Sequence, residues 1–137
     1  MTKPLHLRLL PETNSITTLL DALEAYTDAN DLPLGAASRL MLLADELAAN
    51  VVMHAQGATF FTAEVSRDDA TLCFTLTDDG PQYDPLDRGT ANTQGSVEER
   101  DIGGLGVHFV ERLAATAEYA RRDGRNILRI TLDTGAD

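Results

Sequence analysis

Three groups of residues in this 137-residue chain have types and spacings that suit chemistry. The first is Glu46, Asn50 and His54, at i, i+4 and i+8. On a helix that spacing lines them along one stripe, roughly 100° or more around from the apolar positions Leu40, Leu43 and Leu47. Asparagine in mid-helix lowers helix propensity, because its amide competes for backbone partners. A functional account is available: the amide oxygen is a hard ligand suited to Mg2+, with Glu46 one turn away as general base. Taken alone, a solvated polar face on an acidic protein is the simpler account. His54, near the end of the same pattern, suits a helix C-terminus, and no further ligands at metal spacing point to zinc.

The second group is Asp78-Asp79-Gly80-Pro81, directly after an apolar alternation. Asp-Gly-Pro is ordinary turn chemistry. The sharper reading is a carboxylate fixed at a strand end, able to accept a hydrogen bond from an adenine amino group. The third group is Gly103-Gly104-Leu105-Gly106, ahead of a helical pattern. Glycines there let a backbone approach phosphates, and unpaired N–H groups at a helix start bind anions. A plain loop-to-helix turn explains them about as well. The Walker pattern is absent, and the Rossmann fingerprint fails because Phe109 stands where its third glycine would be. No Gly-x-Ser-x-Gly elbow supports a hydrolase triad.

Elements must position these groups. Residues 5–10 alternate as a strand ended by Pro11. Thr13, Asn14 and Ser15 offer N-caps for a helix bearing Ile16, Leu19, Leu20, Leu23 and Tyr26 on one stripe, closed by Asn30 and Asp31 before Pro33. A second helix is expected over 36–54, buried through Leu40, Leu43, Ala44, Leu47 and Val51. Strands follow at 59–65 and 71–77 around a polar turn at 67–69. Periodicity then collapses over 78–102, and so long a structureless run inside a compact domain is more often functional than decorative. A helix over 105–115 and a hairpin (117–122, 126–132) turned at Asp123-Gly124 complete the chain, the dipeptide signalling a type I′ turn. The order β-α-α-β-β-loop-α-β-β predicts one α+β domain over 1–137, a two-layer sandwich whose mixed, mostly antiparallel sheet carries its helices on one face.

Composition removes several classes. With 11 basic against 22 acidic residues the net charge is −11, which argues against nucleic acid as the main partner. Lys3 is the only lysine, so phosphate binding through a strand lysine or a Walker lysine is excluded. No signal-like segment or membrane-length apolar run is present, and the single cysteine, Cys73, reads as a half-buried strand residue. A cytoplasmic location is the expectation.

In their order, the three groups resemble the histidine-kinase-like ATPase superfamily with its Bergerat fold: Glu-x-x-x-Asn on a helix, Asp-x-Gly at a strand end, then a long loop into Gly-x-Gly. The short length and the run Arg121-Arg122-Asp123-Gly124-Arg125-Asn126 look like the anti-sigma-factor serine kinases, over about residues 5–133. The resemblance implies ATP and Mg2+ as cofactors. It makes Glu46 the catalytic base, Asn50 the metal ligand, Asp78 the adenine anchor and Gly80 the residue that keeps the pocket open. Gly104 and Gly106, with Leu105 between them, would cradle phosphates; residues 85–102 would be the ATP lid. Arg100, four residues before Gly104, would be a γ-phosphate ligand, and Asn126 stands where a threonine often completes the adenine site. Gln82 replaces a second glycine found in many members. The implied partners are an anti-anti-sigma (STAS) protein carrying the phosphorylated serine and a sigma factor, with a homodimer possible. Two other readings compete: a nucleotide-gated binding module without kinase activity, and an interaction domain that binds no nucleotide.

Overall fold

The computed structural model describes residues 3–54, 56–86, 110 and 112–134. Most of the 78–102 segment lies outside these residues, as do Arg100, Gly104, Leu105, Gly106 and six of the eleven positions of the helix expected over 105–115. Of that helix, Val110, Arg112 and Leu113 are helical, whereas Ala114 and Ala115 are not, so it ends two residues before the expected end.

The alternation at the N-terminus forms β1 (Leu5–Leu9), with its three leucines half-buried and His6 and Arg8 exposed. Helix α1 (Thr13–Ala29) follows. Its N-cap is Glu12, which makes no side-chain cap bond, so none of the three expected caps is used. The chain is delivered into the helix by its backbone instead, Glu12 N–H donating to the Leu10 carbonyl and Ser15 N–H to that of Glu12. The far end closes as expected: the Asn30 side chain donates to the Tyr26 carbonyl, and Asp31 takes a left-handed φ of 50°. Helix α2 (Leu34–His54) begins two residues before the expected start.

Strands β2 (Phe61–Asp68) and β3 (Thr71–Asp78) are joined more tightly than expected, at Asp69 and Ala70. Arg67 and Asp68 belong to the strand because Arg67's guanidinium is satisfied at both ends, donating to Asp69 O and to Asn30 O at the end of α1. Strands β4 (Thr116–Arg122) and β5 (Arg125–Asp133) form the hairpin. Asp123 and Gly124 both have positive φ, 53° and 76°, as a type I′ turn requires.

The sheet order is β1-β2-β3-β5-β4, and each recorded pairing is antiparallel. Alternation along the strands sends Phe61, Val65, Leu72, Phe74, Ile130 and Leu132 to one face. There they meet Leu19 and Leu23 of α1 and Leu40, Leu43 and Leu47 of α2 in one core. Of the apolar stripes expected on the helices, Leu19, Leu23, Tyr26, Leu40, Leu43, Ala44 and Leu47 are buried, and Ile16, Leu20 and Val51 pack half-buried against the core. At about 25 cal/mol per Å2 of apolar surface, this helix-on-sheet burial is the dominant stabilising term.

Candidate nucleotide-binding site

A cavity of about 30 Å3 lies between the C-terminal half of α2 and the adjoining end of the sheet. Helix α2 contributes Leu47, Asn50, Val51 and His54, at i, i+3, i+4 and i+7, so one helical face forms the wall. Leu76 and Asp78 come from β3, Asn126 and Leu128 from β5, and Tyr119 from β4. Pro81, Tyr83 and Pro85 close it from the segment after β3. Three of the residues proposed from the sequence for the site, Asn50, Asp78 and Asn126, are thereby brought to one cavity, with His54 beside them. Glu46 is half-buried, one turn before Asn50, and is not among the lining residues.

The sheet register explains the polar end of the cavity. Asp78 and Asn126 are cross-strand partners on β3 and β5, and both are buried, at 7% and 6% exposure. Burial of a carboxylate and an amide is tolerable only when their hydrogen bonds are made. Asn126 donates from Nδ2 to Asp78 Oδ1 (3.0 Å) and to the Pro81 carbonyl (2.8 Å). Its Oδ1 accepts from Tyr83 N–H (3.1 Å) and from the Tyr119 hydroxyl. Two partners can only accept and one can only donate, so the amide orientation is fixed: a flip would set N–H against N–H. Asn126 has both donors and both acceptor sites used within the protein.

Asp78 Oδ1 also accepts from Gly80 N–H (2.9 Å). Among the described residues the bonds to this carboxylate converge on Oδ1. Gly80 is itself buried, and its carbonyl accepts from Arg121 (2.8 Å). The next acid, Asp79, turns the other way and ties β3 to the start of β2. It accepts from Thr59 N–H (2.7 Å), from Phe60 N–H (3.2 Å) and from the Thr59 hydroxyl. The Thr59 hydroxyl, and then the two backbone donors, hold its carboxyl below the usual value of 3.8.

Sequence reasoning missed the aromatic part of the site. Two of the chain's three tyrosines, Tyr83 and Tyr119, line the cavity. Burial pushes both phenols above their ordinary pKa of 10.0, so each stays a protonated donor at neutral pH. Tyr83 stacks on His54, with ring centroids 4.7 Å apart and 18° between planes. Tyr83 had one legible signal, an aromatic in an otherwise polar, turn-rich run. Tyr119 had none, since an aromatic in a strand reads as core. Among the described residues no group of three or more His, Cys, Asp and Glu side chains could hold a metal. No helix there is long and apolar enough to cross a membrane.

The helical wall bearing Asn50 faces the sheet end bearing Asp78 within an α+β domain, and the class of that domain is given by comparison with known proteins. Residues 9–132 match the histidine kinase-like ATPase domain, and the chain belongs to that family. It is 31% identical over 97 residues to the serine/threonine-protein kinase BtrW of Bordetella bronchiseptica, covering 67% of each chain. In fold it is similar to the RsbU and RsbW domains of Rv1364c from Mycobacterium tuberculosis, with a TM-score of 0.71 and 15% identity. That match covers 96% of this chain and 32% of the other, so the chain spans about a third of that protein's length. The structure of the SiaB–SiaC complex from Pseudomonas aeruginosa is also similar, with a TM-score of 0.62, 16% identity, and coverage of 93% and 88%.

Proposed function

We propose that this chain is an ATP-dependent serine/threonine kinase of the anti-sigma type, acting on an anti-anti-sigma (STAS) partner. The observation that carries this reading is the meeting of Asn50 and Asp78 in one cavity, with Glu46 one turn away on the Asn50 helix. Kinship to a named serine/threonine kinase supports the chemistry. Asp78 presents its second carboxylate oxygen to the adenine amino group, while Asn126 and Gly80 hold the first. Asn126 thus acts on the nucleotide through Asp78.

The residues present fit Mg2+ carried in by ATP better than a resident metal. Mg2+ commonly takes one or two protein oxygens and completes its shell with phosphates and water, and the Asn50 amide supplies such an oxygen. Held there, Mg2+ would supply neutralisation of phosphoryl charge. Glu46 accepts the proton as the partner's serine oxygen bonds to the γ-phosphorus. The bond from that phosphorus to the bridging oxygen breaks, and ADP leaves. Gly104, Leu105, Gly106 and Arg100 are assigned to the phosphates from the sequence. A sigma factor as the sequestered target, and a cytoplasmic location, complete the reading.

Incubation with γ-labelled ATP and the STAS proteins of the same organism tests it. Label on a partner serine is the expected result. Tight ATP binding with no transfer to any such partner would replace the kinase by a nucleotide-gated binding module.

A further inference from the structure

The sheet face turned away from the helices carries a charge arrangement that the nucleotide site leaves unused. At the end nearest the β4–β5 turn, Arg8, Arg122 and Arg125 are all exposed, and the alternation of their strands sets them on this face. Arg8 Cζ stands 3.8 Å from the centroid of the Phe60 ring, and Arg125 Cζ stands 5.3 Å from the same ring. Phe60 is buried beneath them, so one aromatic ring holds two cations. Arg122 and Arg125 are cross-strand partners, a position where like charges destabilise a sheet. Arg121, on the rim, bonds to the Gly80 carbonyl.

Four of the chain's 11 basic residues therefore crowd one sheet end in a protein with 22 carboxylates to spare. The carboxylates beside them do not neutralise them. Asp79 is committed to Thr59 and Phe60, and Asp123 sits in the exposed turn. Among the described residues, none of Arg8, Arg122 and Arg125 makes an ion pair. Beyond the contacts with Phe60, folding gains nothing from crowding exposed, mutually repelling guanidinium groups, whereas an external anion would gain from them.

We infer that this end of the outer sheet face is a docking surface for an acidic segment of a protein partner. The cations are spread over β1, β5 and β4 instead of converging on a point, which suits several carboxylates along a chain better than one small anion. Between Arg8 and the hairpin arginines the register sets Thr62, Thr77 and Ile127 side by side, a floor of short side chains on which an extended segment can lie. A nucleic acid is disfavoured, because a net charge of −11 repels a polyanion that needs many phosphates neutralised.

The test uses the full chain without nucleotide, so its outcome is independent of the kinase reading. Two short labelled peptides, alternating Glu-Val and alternating Gln-Val, are titrated with the protein and followed by fluorescence anisotropy. The glutamate peptide should bind at least about tenfold more tightly than the glutamine peptide, and its binding should weaken as salt shortens the screening length. The double variant Arg122→Glu/Arg125→Glu should lose that binding by about tenfold or more. Its melt should stay cooperative, one like-charge pair standing in place of another, and any shift of the melt by Mg-ATP should be unchanged. If that variant does not fold, Arg122→Gln/Arg125→Gln serves the same comparison. Equal binding of the two peptides, undiminished binding by the variant, or tighter binding of a single-stranded oligonucleotide of matched charge would each overturn the inference.

Discussion

At the scale of single residues, the fixed orientation of Asn126 makes the neighbouring carboxylate testable. Asn126 Nδ2 and Gly80 N–H both point donors at Asp78 Oδ1. If Asp78 is replaced by asparagine, that position must still be an acceptor, so the new amide NH2 is forced to the other side, toward the base. A donor there repels the 6-amino group of adenine and accepts the 6-oxo group of hypoxanthine. Asp78→Asn should therefore shift the ratio of ATP to ITP affinity by about a hundredfold or more toward ITP, since sites built on buried hydrogen bonds reject mismatched analogues strongly. Competition calorimetry reads the ratio, and an unchanged ratio would remove Asp78 from the base site. Asn50→Ala should act differently, weakening Mg-ATP by about tenfold, about 1.4 kcal/mol, with little change in the stability of the free protein. The types and spacing of Asn50 and Asp78 were legible in the sequence because each is chemically out of place, an amide in mid-helix and an acid at a strand end. Tyr119 was not, because its role depends on which group the register sets beside its hydroxyl.

At the scale of elements, what was legible follows local chemistry, and what was not depends on contacts distant in sequence. The Asp123-Gly124 turn could be read directly, since only a few residue types tolerate two successive positive φ angles. Gly124 has open space where a Cβ would stand, so Gly124→Val should cost only the backbone penalty, about 1–2 kcal/mol, in urea unfolding. The α1 cap could not be read from its polar trio, because the Leu10–Glu12 backbone turn fixes where the helix starts. The β2–β3 turn was displaced for a similar reason, as Arg67 is held in the strand by the end of α1. The Asp79 clamp between β2 and β3 shows the same dependence and yields a pH prediction. Its carboxyl is held below its unfolded value, so its contribution is present above about pH 4 and is lost as pH falls through the lower folded value. Asp79→Ala should accordingly be less stable than wild type near pH 7, with the gap closing toward pH 3. A gap that stays constant across that range would show that the clamp works without its charge.

At the scale of the whole molecule, the two faces of the sheet differ: one packs on the helices and borders the candidate cavity, and among the described residues the other carries no helix. Binding in the cavity then stabilises the fold as a unit, because the site is assembled from α2, β3, β4 and β5 and exists only when they are packed. A ligand at about 100 times its Kd adds about 2.7 kcal/mol to a native state that alone binds it. For a domain of this size that corresponds to a rise in Tm of roughly 8–10 °C. Glu46 provides the contrast, since it lies outside the cavity lining, one turn before Asn50. A carboxylate that accepts the serine proton contributes about 10²–10⁴ in rate and nothing to nucleotide binding. Glu46→Ala should therefore keep the full Mg-ATP shift in Tm while transfer to the partner serine falls by about two orders of magnitude or more. Loss of both together would place Glu46 in nucleotide binding, and loss of neither would leave it a polar residue on a helix.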